Sequence, residues 1–343
     1  MKKMLFSVAG IAILFASCSE QTKTENEAAV QVLELEESIQ NSQARSCETM
    51  KVLDNQLAKD PMLAIKMAEI ENHGLSFARQ LTSKKGGNGN GGGGSVDPVP
   101  DNLGVVNIPV VVHVIYSNSN ENISDAQINS QIAILNEDFS AANADVSQVP
   151  AEFAGQVANS EIQFTLAQVI RKSSTRTSWG TADAMKFSGN GGSDAIDTSK
   201  FLNMWVCNIG GGILGYAQFP GGNAATDGIV VSPQFFGSQG FVQAPFDKGR
   251  TTTHEVGHWL NLRHIWGDGR CRQDDFVADT PSSDRPNYGC PAYPTVHCRS
   301  NDMTMNYMDY VNDDCMYMFS EGQKVRMRAL FASGGARESI LTP

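Results

Sequence analysis

Residues 251–264 read TTTHEVGHWLNLRH and set His254, Glu255, His258 and His264 in the spacing H-E-x-x-H-x-x-x-x-x-H. Residues i and i+4 of an α-helix share a face, so His254 and His258 can direct two imidazoles at one metal ion while Glu255 handles a proton. This is the arrangement of a zinc hydrolase: three neutral imidazoles as ligands and a fourth position open for water. His264, six residues after His258, cannot lie on the same helical face. The helix must stop and the chain turn back, and Asn261 stands at the turn, where Gly is the commonest occupant of the left-handed region and Asn the next best. The plain alternative is a buried helix whose histidines are merely hydrogen-bonded. With only six histidines in 343 residues, chance is a poor explanation for three of them in this spacing. Val256, Trp259, Leu260 and Leu262 are core residues on either reading.

Working upstream, DGIVVSP (227–233), FLNMWVCNI (201–209), EIQFTLAQVIR (161–171) and VNIPVVVHVIY (106–116) read as strands by their β-branched and aromatic content. Between two of them, GGGILGYAQFPGG is Gly-rich around a short apolar core, which suits an edge strand that a peptide can pair with. ISDAQINSQIAILNEDFS reads as a helix with Ile128, Ile132, Leu135 and Phe139 on one face, opened by a capping box of Ser124 and Gln127. Downstream of His264, Gly, Asp, Pro and four cysteines dominate to residue 315, after which EGQKVRMRALF (321–331) restores a helical pattern. The class is α+β, with a twisted sheet and two helices ahead of a cleft and an irregular half stapled by disulfides below it.

The first 18 residues, MKKMLFSVAGIAILFASC, combine two lysines, a short apolar run and small residues before Cys18, the pattern of a secretory signal with a lipoprotein-type cleavage box. Export permits disulfides. Of seven cysteines, Cys271, Cys290, Cys298 and Cys315 are bunched late, while Cys18, Cys47 and Cys207 are scattered; Cys207 is most simply a buried free thiol. Residues 19–82 are polar and helical in flavour, and SKKGGNGNGGGGSVDPVP is a flexible tract before the strands. The organisation expected is a signal at 1–17, a propeptide at 18–82, a linker at 83–103 and a catalytic domain at 104–343. A net charge of −11 and no basic run longer than Lys84-Lys85 exclude nucleic acid as a partner. The partners expected are protein or peptide substrates, with the membrane reached only through a lipid anchor at Cys18.

Taken with the late cysteines, DTP and NYMDY, the histidine stretch makes residues 40–335 resemble the pappalysin family of metzincin metallopeptidases, in particular its ulilysin-like members. The resemblance implies a metzincin fold, with a mixed sheet and the zinc helix above and a lower subdomain ending in a C-terminal helix. It implies His254, His258 and His264 as zinc ligands and Glu255 as general base. It also implies Met308 as the Met-turn beneath the metal and Tyr310 as stabiliser of the tetrahedral intermediate. Sequence alone permits three pairings of the late cysteines; the resemblance suggests Cys271 with Cys298 and Cys290 with Cys315. Asp275, Asp279 and Thr280 look like the family's calcium loop, and calcium would join zinc as a cofactor.

Two further expectations follow from the resemblance. Asp314 matches the acidic residue at the base of the primed-side specificity pocket, so cleavage is expected on the N-terminal side of Lys or Arg. Cys47, in Arg45-Ser46-Cys47-Glu48-Thr49, falls where a propeptide cysteine binds zinc and silences the enzyme, with pairing to Cys207 or an idle thiol as alternatives. The function expected is a zinc-dependent endopeptidase made as a latent precursor, exported and held at the cell envelope or released after processing. A lipid-anchored binding module with a structural zinc, or an inactive relic, is the rival; it has no use for Glu255 and Tyr310.

Overall fold

The computed structural model describes residues 44–83 and 101–342. The expectations for the signal, for Cys18 and for most of the linker lie outside the described residues. Among the described residues the first helices are α1 (Thr49–Lys59) and α2 (Pro61–Ser83). Asp60 separates them, and Pro61 begins the second at the position where a missing N–H costs nothing. The polar composition of this stretch promises little core, yet Leu53, Leu63, Met67 and Phe77 are buried, the first three in one cluster with Phe219. A helix laid on a neighbour's surface needs only a narrow apolar stripe, because the neighbour supplies the rest of the core.

The sheet has five strands: β1 (Val106–Tyr116), β2 (Ile162–Ser173), β3 (Leu202–Val206), β4 (Gly215–Ala217) and β5 (Ile229–Val231). Their order is β2-β1-β3-β5-β4; all neighbours run parallel except β4, which pairs antiparallel with β5 at the edge. Central β1 is apolar almost throughout because both its faces are covered. Edge strand β2 begins with the alternation of a half-exposed strand, Ile162 and Phe164 in, Gln163 and Thr165 out. Cys207 follows β3 and is a buried free thiol, not a partner of Cys47.

Helix α3 (Asp125–Phe139) packs Ile128, Leu135 and Phe139 into the core, and Ser124 accepts from the Gln127 backbone N–H at 3.2 Å. The capping box is only half made. The Gln127 amide turns away to donate to the carbonyls of Pro233 and Phe236, both at 2.9 Å, because a buried loop end has no other donor to satisfy it. Gln131 likewise donates to the Gly249 carbonyl at 3.0 Å and accepts from Thr252 at 2.7 Å. The two glutamines thus fix the loop leading into helix α4 (Arg250–Trp259), every residue of which is buried.

Beyond α4 the chain is irregular to helix α5 (Glu321–Ala329), where Ser320 and Gln323 form a complete capping box. The staples are Cys271–Cys298 and Cys290–Cys315, with Cα separations of 5.5 and 5.6 Å.

Candidate active site

Helix α4 starts at Gly249, which has a φ of 73° and no side chain to cap the helix. The cap comes from far down the chain: Asp313 Oδ2 accepts from the backbone N–H groups of Lys248 and Arg250 at 2.9 and 3.2 Å. A buried carboxylate at a helix N-terminus is favoured by the helix dipole as well as by these bonds. At the other end Asn261 takes the left-handed turn at φ 71°, and the Leu262 N–H closes on the Gly257 carbonyl at 2.9 Å.

That turn brings three imidazoles together. Nε2 of His258 lies 3.2 Å from Nε2 of His254 and 3.1 Å from Nε2 of His264. Each ring's other nitrogen has an oxygen to donate to: Tyr307 carbonyl at 2.7 Å for His254, Leu262 carbonyl at 2.8 Å for His258, and Asp268 Oδ1 at 2.5 Å for His264. These bonds put the proton on Nδ1, so three Nε2 lone pairs face one another and repel unless a cation lies among them. Burial, and then the neighbouring histidines, push His254 and His258 well below the ordinary histidine range, which keeps them neutral as ligands must be. Sγ of Cys47 joins the three nitrogens, all four atoms lying within 4.8 Å of one another. Three imidazoles and a thiol are a donor set that fits zinc.

Met308 packs against helix α4. Any Cβ at Gly257 would stand 2.4 Å from the Met308 sulfur, so the glycine within HEVGH is what lets the helix and the turn beneath it approach. Gly215 plays the same part above, where a Cβ would meet Glu255 Cγ at 3.0 Å. Glu255 is fully buried, and burial lifts its carboxyl to about 7. Its Oε2 accepts from the Thr49 hydroxyl at 2.8 Å and lies 3.5 Å from the Cys47 sulfur, while Oε1 has no partner among the described residues. Tyr310 closes the far side, its ring centroid 4.8 Å from that of His264 and its hydroxyl donating to the Cys47 carbonyl at 3.2 Å. Burial, and then the charge of Glu255, raise the Cys47 thiol well above its ordinary value, so a cation at the cluster is what would hold it as thiolate.

Residues 45–49 therefore run through the cleft. The Leu214 N–H donates to the Ser46 carbonyl at 3.0 Å, the Glu48 N–H to the Gly215 carbonyl at 3.2 Å, and the Ala217 N–H to Thr49 Oγ1 at 2.8 Å. This is pairing with the β4 edge. Arg45 enters a closed pocket: it donates to Asp313 Oδ1 at 2.6 Å, to Thr251 and the Val311 carbonyl at 3.2 Å each, and lies 4.8 Å from the Phe246 ring centroid.

The acid in that pocket is Asp313, not the expected Asp314. Asp314 has a side chain 61% exposed and pairs with Lys248 on the surface. The two adjacent acids sit in one 3-10 turn (Asp313–Cys315) and point to opposite sides of it. The expected calcium residues also divide: Thr280 donates to Asp275 at 2.7 Å, whereas both oxygens of Asp279 are taken by Ser320 and the Gly322 N–H at the start of α5. Asp275 is buried and burial raises its carboxyl to about 7.

Sequence reasoning missed Arg45, Thr49, Asp268 and Asp313. Asp268 carried a usable signal, an acid four residues after the third histidine; the others depend on contacts more than 200 residues apart, except the 63-residue span between Asp313 and Arg250.

Residues 191–332 match the family model Peptidase_M43, described as Pregnancy-associated plasma protein-A. The chain is 34% identical over 242 residues to extracellular metalloprotease 1 of Coccidioides posadasii (strain C735), covering 66% of this chain and 77% of that protein. It is similar to Tannerella forsythia mature mirolysin solved with a cleaved peptide, at 46% identity and TM-score 0.68 over 69% of this chain and 96% of that one. The likeness to a mutant of T. forsythia promirolysin extends further, over 86% of this chain and 97% of that one, at 40% identity and TM-score 0.74.

Proposed function

Because the chain belongs to the pappalysin family of metzincin zinc metallopeptidases, we propose that it is an endopeptidase made as a latent precursor and that it cuts proteins or peptides on the N-terminal side of arginine or lysine. Arg45 carries the reading. A guanidinium enclosed by Asp313, with Cys47 two residues on over the histidine cluster, is what a bound basic side chain looks like next to a blocked metal site. Residues 18–82 are then the prosegment and 104–343 the catalytic domain, and the longer likeness to promirolysin than to mature mirolysin supports that division.

His254, His258 and His264 would hold zinc, which when bound would supply Lewis acidity toward the scissile carbonyl and the attacking water. Glu255, released from Thr49, accepts the proton of the attacking water and passes it to the leaving amine. The Tyr310 hydroxyl, released from the Cys47 carbonyl, donates to the developing oxyanion. The Gly215 carbonyl and Ala217 N–H, now engaged by the prosegment, align the substrate backbone.

Export belongs to the same proposal, through the signal at 1–17, with relatives named extracellular in support. A lipid anchor at Cys18 is the further step, and palmitate labelling lost in Cys18→Ala tests it. Calcium is proposed only as an ion beside Asp275, where a cation would meet a buried carboxyl. The central test compares full-length protein, Cys47→Ala and protein cleaved within residues 84–100 on an arginine-containing peptide. The first should be inactive and the other two active; full activity of the intact wild-type chain would refute latency.

A further inference from the structure

We propose that Arg263 and Arg326, with Asn261 and the Phe276 ring, form a carboxylate-binding subsite, filled by Glu71 in the precursor and by an acidic side chain upstream of the scissile bond in the processed enzyme. This rests on the reading of residues 45–83 as a removable prosegment.

Helix α2 is clamped to α5 by Glu71, whose two oxygens accept from Arg326 Nη1 at 2.7 Å and Nη2 at 2.5 Å. Asn261 Nδ2 lies 3.4 Å from the same carboxylate, and Arg326 Nε donates to the Asn261 carbonyl at 2.6 Å. Since Asn261 is the turn between His258 and His264, the clamp stands on the wall of the metal site. Arg263 comes next: its guanidinium lies 5.1 Å from the Phe276 ring centroid and that of Arg326 lies 5.4 Å from the same ring. Two cations thus share one half-exposed ring, and Arg263 Nε is buried without a partner among the described residues. The acid nearest Arg263 in sequence, Asp268, is already engaged by His264. Once α2 leaves, the pair has lost its bidentate carboxylate, the ligand a guanidinium fork fits best.

The subsite is in line with the cleft. The His258 and Phe219 rings are 5.5 Å apart, and the Arg263 guanidinium is 5.8 Å from the Phe219 ring. Arg45 leads away from Cys47 on one side, toward Asp313, whereas Leu53 and Leu63 cover Phe219 on the other. A substrate with its basic side chain downstream of the cut, in the Asp313 pocket, therefore carries its acidic residue upstream.

The test uses processed enzyme freed of its prosegment and fluorogenic peptides with one arginine after the cut and Glu or Gln at each of positions three to six upstream. At one position Glu should raise kcat/KM about tenfold over Gln through KM, the scale of a carboxylate–guanidinium bond partly open to water. In Arg326→Gln or Arg263→Gln that Glu-to-Gln ratio should fall to about one, whatever the absolute rate. Equal rates for Glu and Gln peptides in the wild type at every position would overturn the subsite alone. Gln peptides cut elsewhere than before arginine would overturn the specificity reading, and with it the upstream placement.

Discussion

Replacing Asp313 by Asn keeps the shape of the side chain and removes its charge, and two separate losses should follow. In the pocket, Asp313 Oδ1 meets a buried guanidinium at 2.6 Å, with Oδ2 on the N-terminus of α4. Losing a charge-assisted bond in a desolvated pocket costs about 2–3 kcal/mol, which is roughly 30- to 140-fold in kcat/KM for an arginine substrate at about 1.4 kcal/mol per decade. At the helix start, an amide oxygen still accepts but no longer complements the dipole, a loss of about 0.5–1 kcal/mol in stability. Asp314→Asn is the control: its partner Lys248 is 51% exposed and Asp314 61% exposed, so the pair contributes about 0–0.5 kcal/mol and rates should change less than about twofold. Peptides differing only in Arg, Gln or Leu after the cut, assayed on processed enzyme beside a urea melt, separate the two losses. Asp314→Asn abolishing the arginine preference while Asp313→Asn leaves it intact would refute the argument.

Glu255→Ala should reduce turnover by about 10²- to 10⁴-fold with zinc content by metal analysis unchanged; loss of the metal as well would count against its role as a proton carrier alone. Gly257→Ala drives a methyl to 2.4 Å from the Met308 sulfur, so overpacking of about 1–3 kcal/mol should outweigh the roughly 1 kcal/mol that Ala brings to a helix. Adding Met308→Ala should recover part of the melting temperature, and unaltered stability of the single variant would be contrary evidence. Asp275 has a folded pKa of about 7, above its usual 3.8. The folded state therefore keeps a proton that the unfolded chain releases, and in chelator the wild type should lose stability relative to Asp275→Asn as pH rises from about 4 to about 7. A difference between the two that stays level across that window would rule the shift out.

The histidine spacing, the strands and the C-terminal helix were legible because each rests on local periodicity and composition. The sequence also located the turn at Asn261, since few residues take positive φ there. What it could not assign was direction in a short turn: nothing local distinguishes Asp313 from Asp314, and the burial of one depends on a helix start 63 residues earlier. Gln127 failed differently. Its local environment offered a capping box, but three loop carbonyls offered more, and tertiary hydrogen bonding overrode the local pattern. The polar helices α1 and α2 looked peripheral because their apolar stripe is completed by Phe219, a residue of the other segment.

The two disulfides overlap, one ring closing residues 271–298 and the other 290–315, so every peptide bond from 271 to 315 lies inside at least one ring. Within that stretch Arg272, Arg285 and Arg299 are exposed on a chain with little regular structure. If the enzyme cuts before arginine, as proposed, it meets three such bonds on every neighbouring copy of itself. A nick at any of them leaves both ends covalently attached to the turn that carries Asp313, and self-digestion there yields a nicked molecule instead of two fragments.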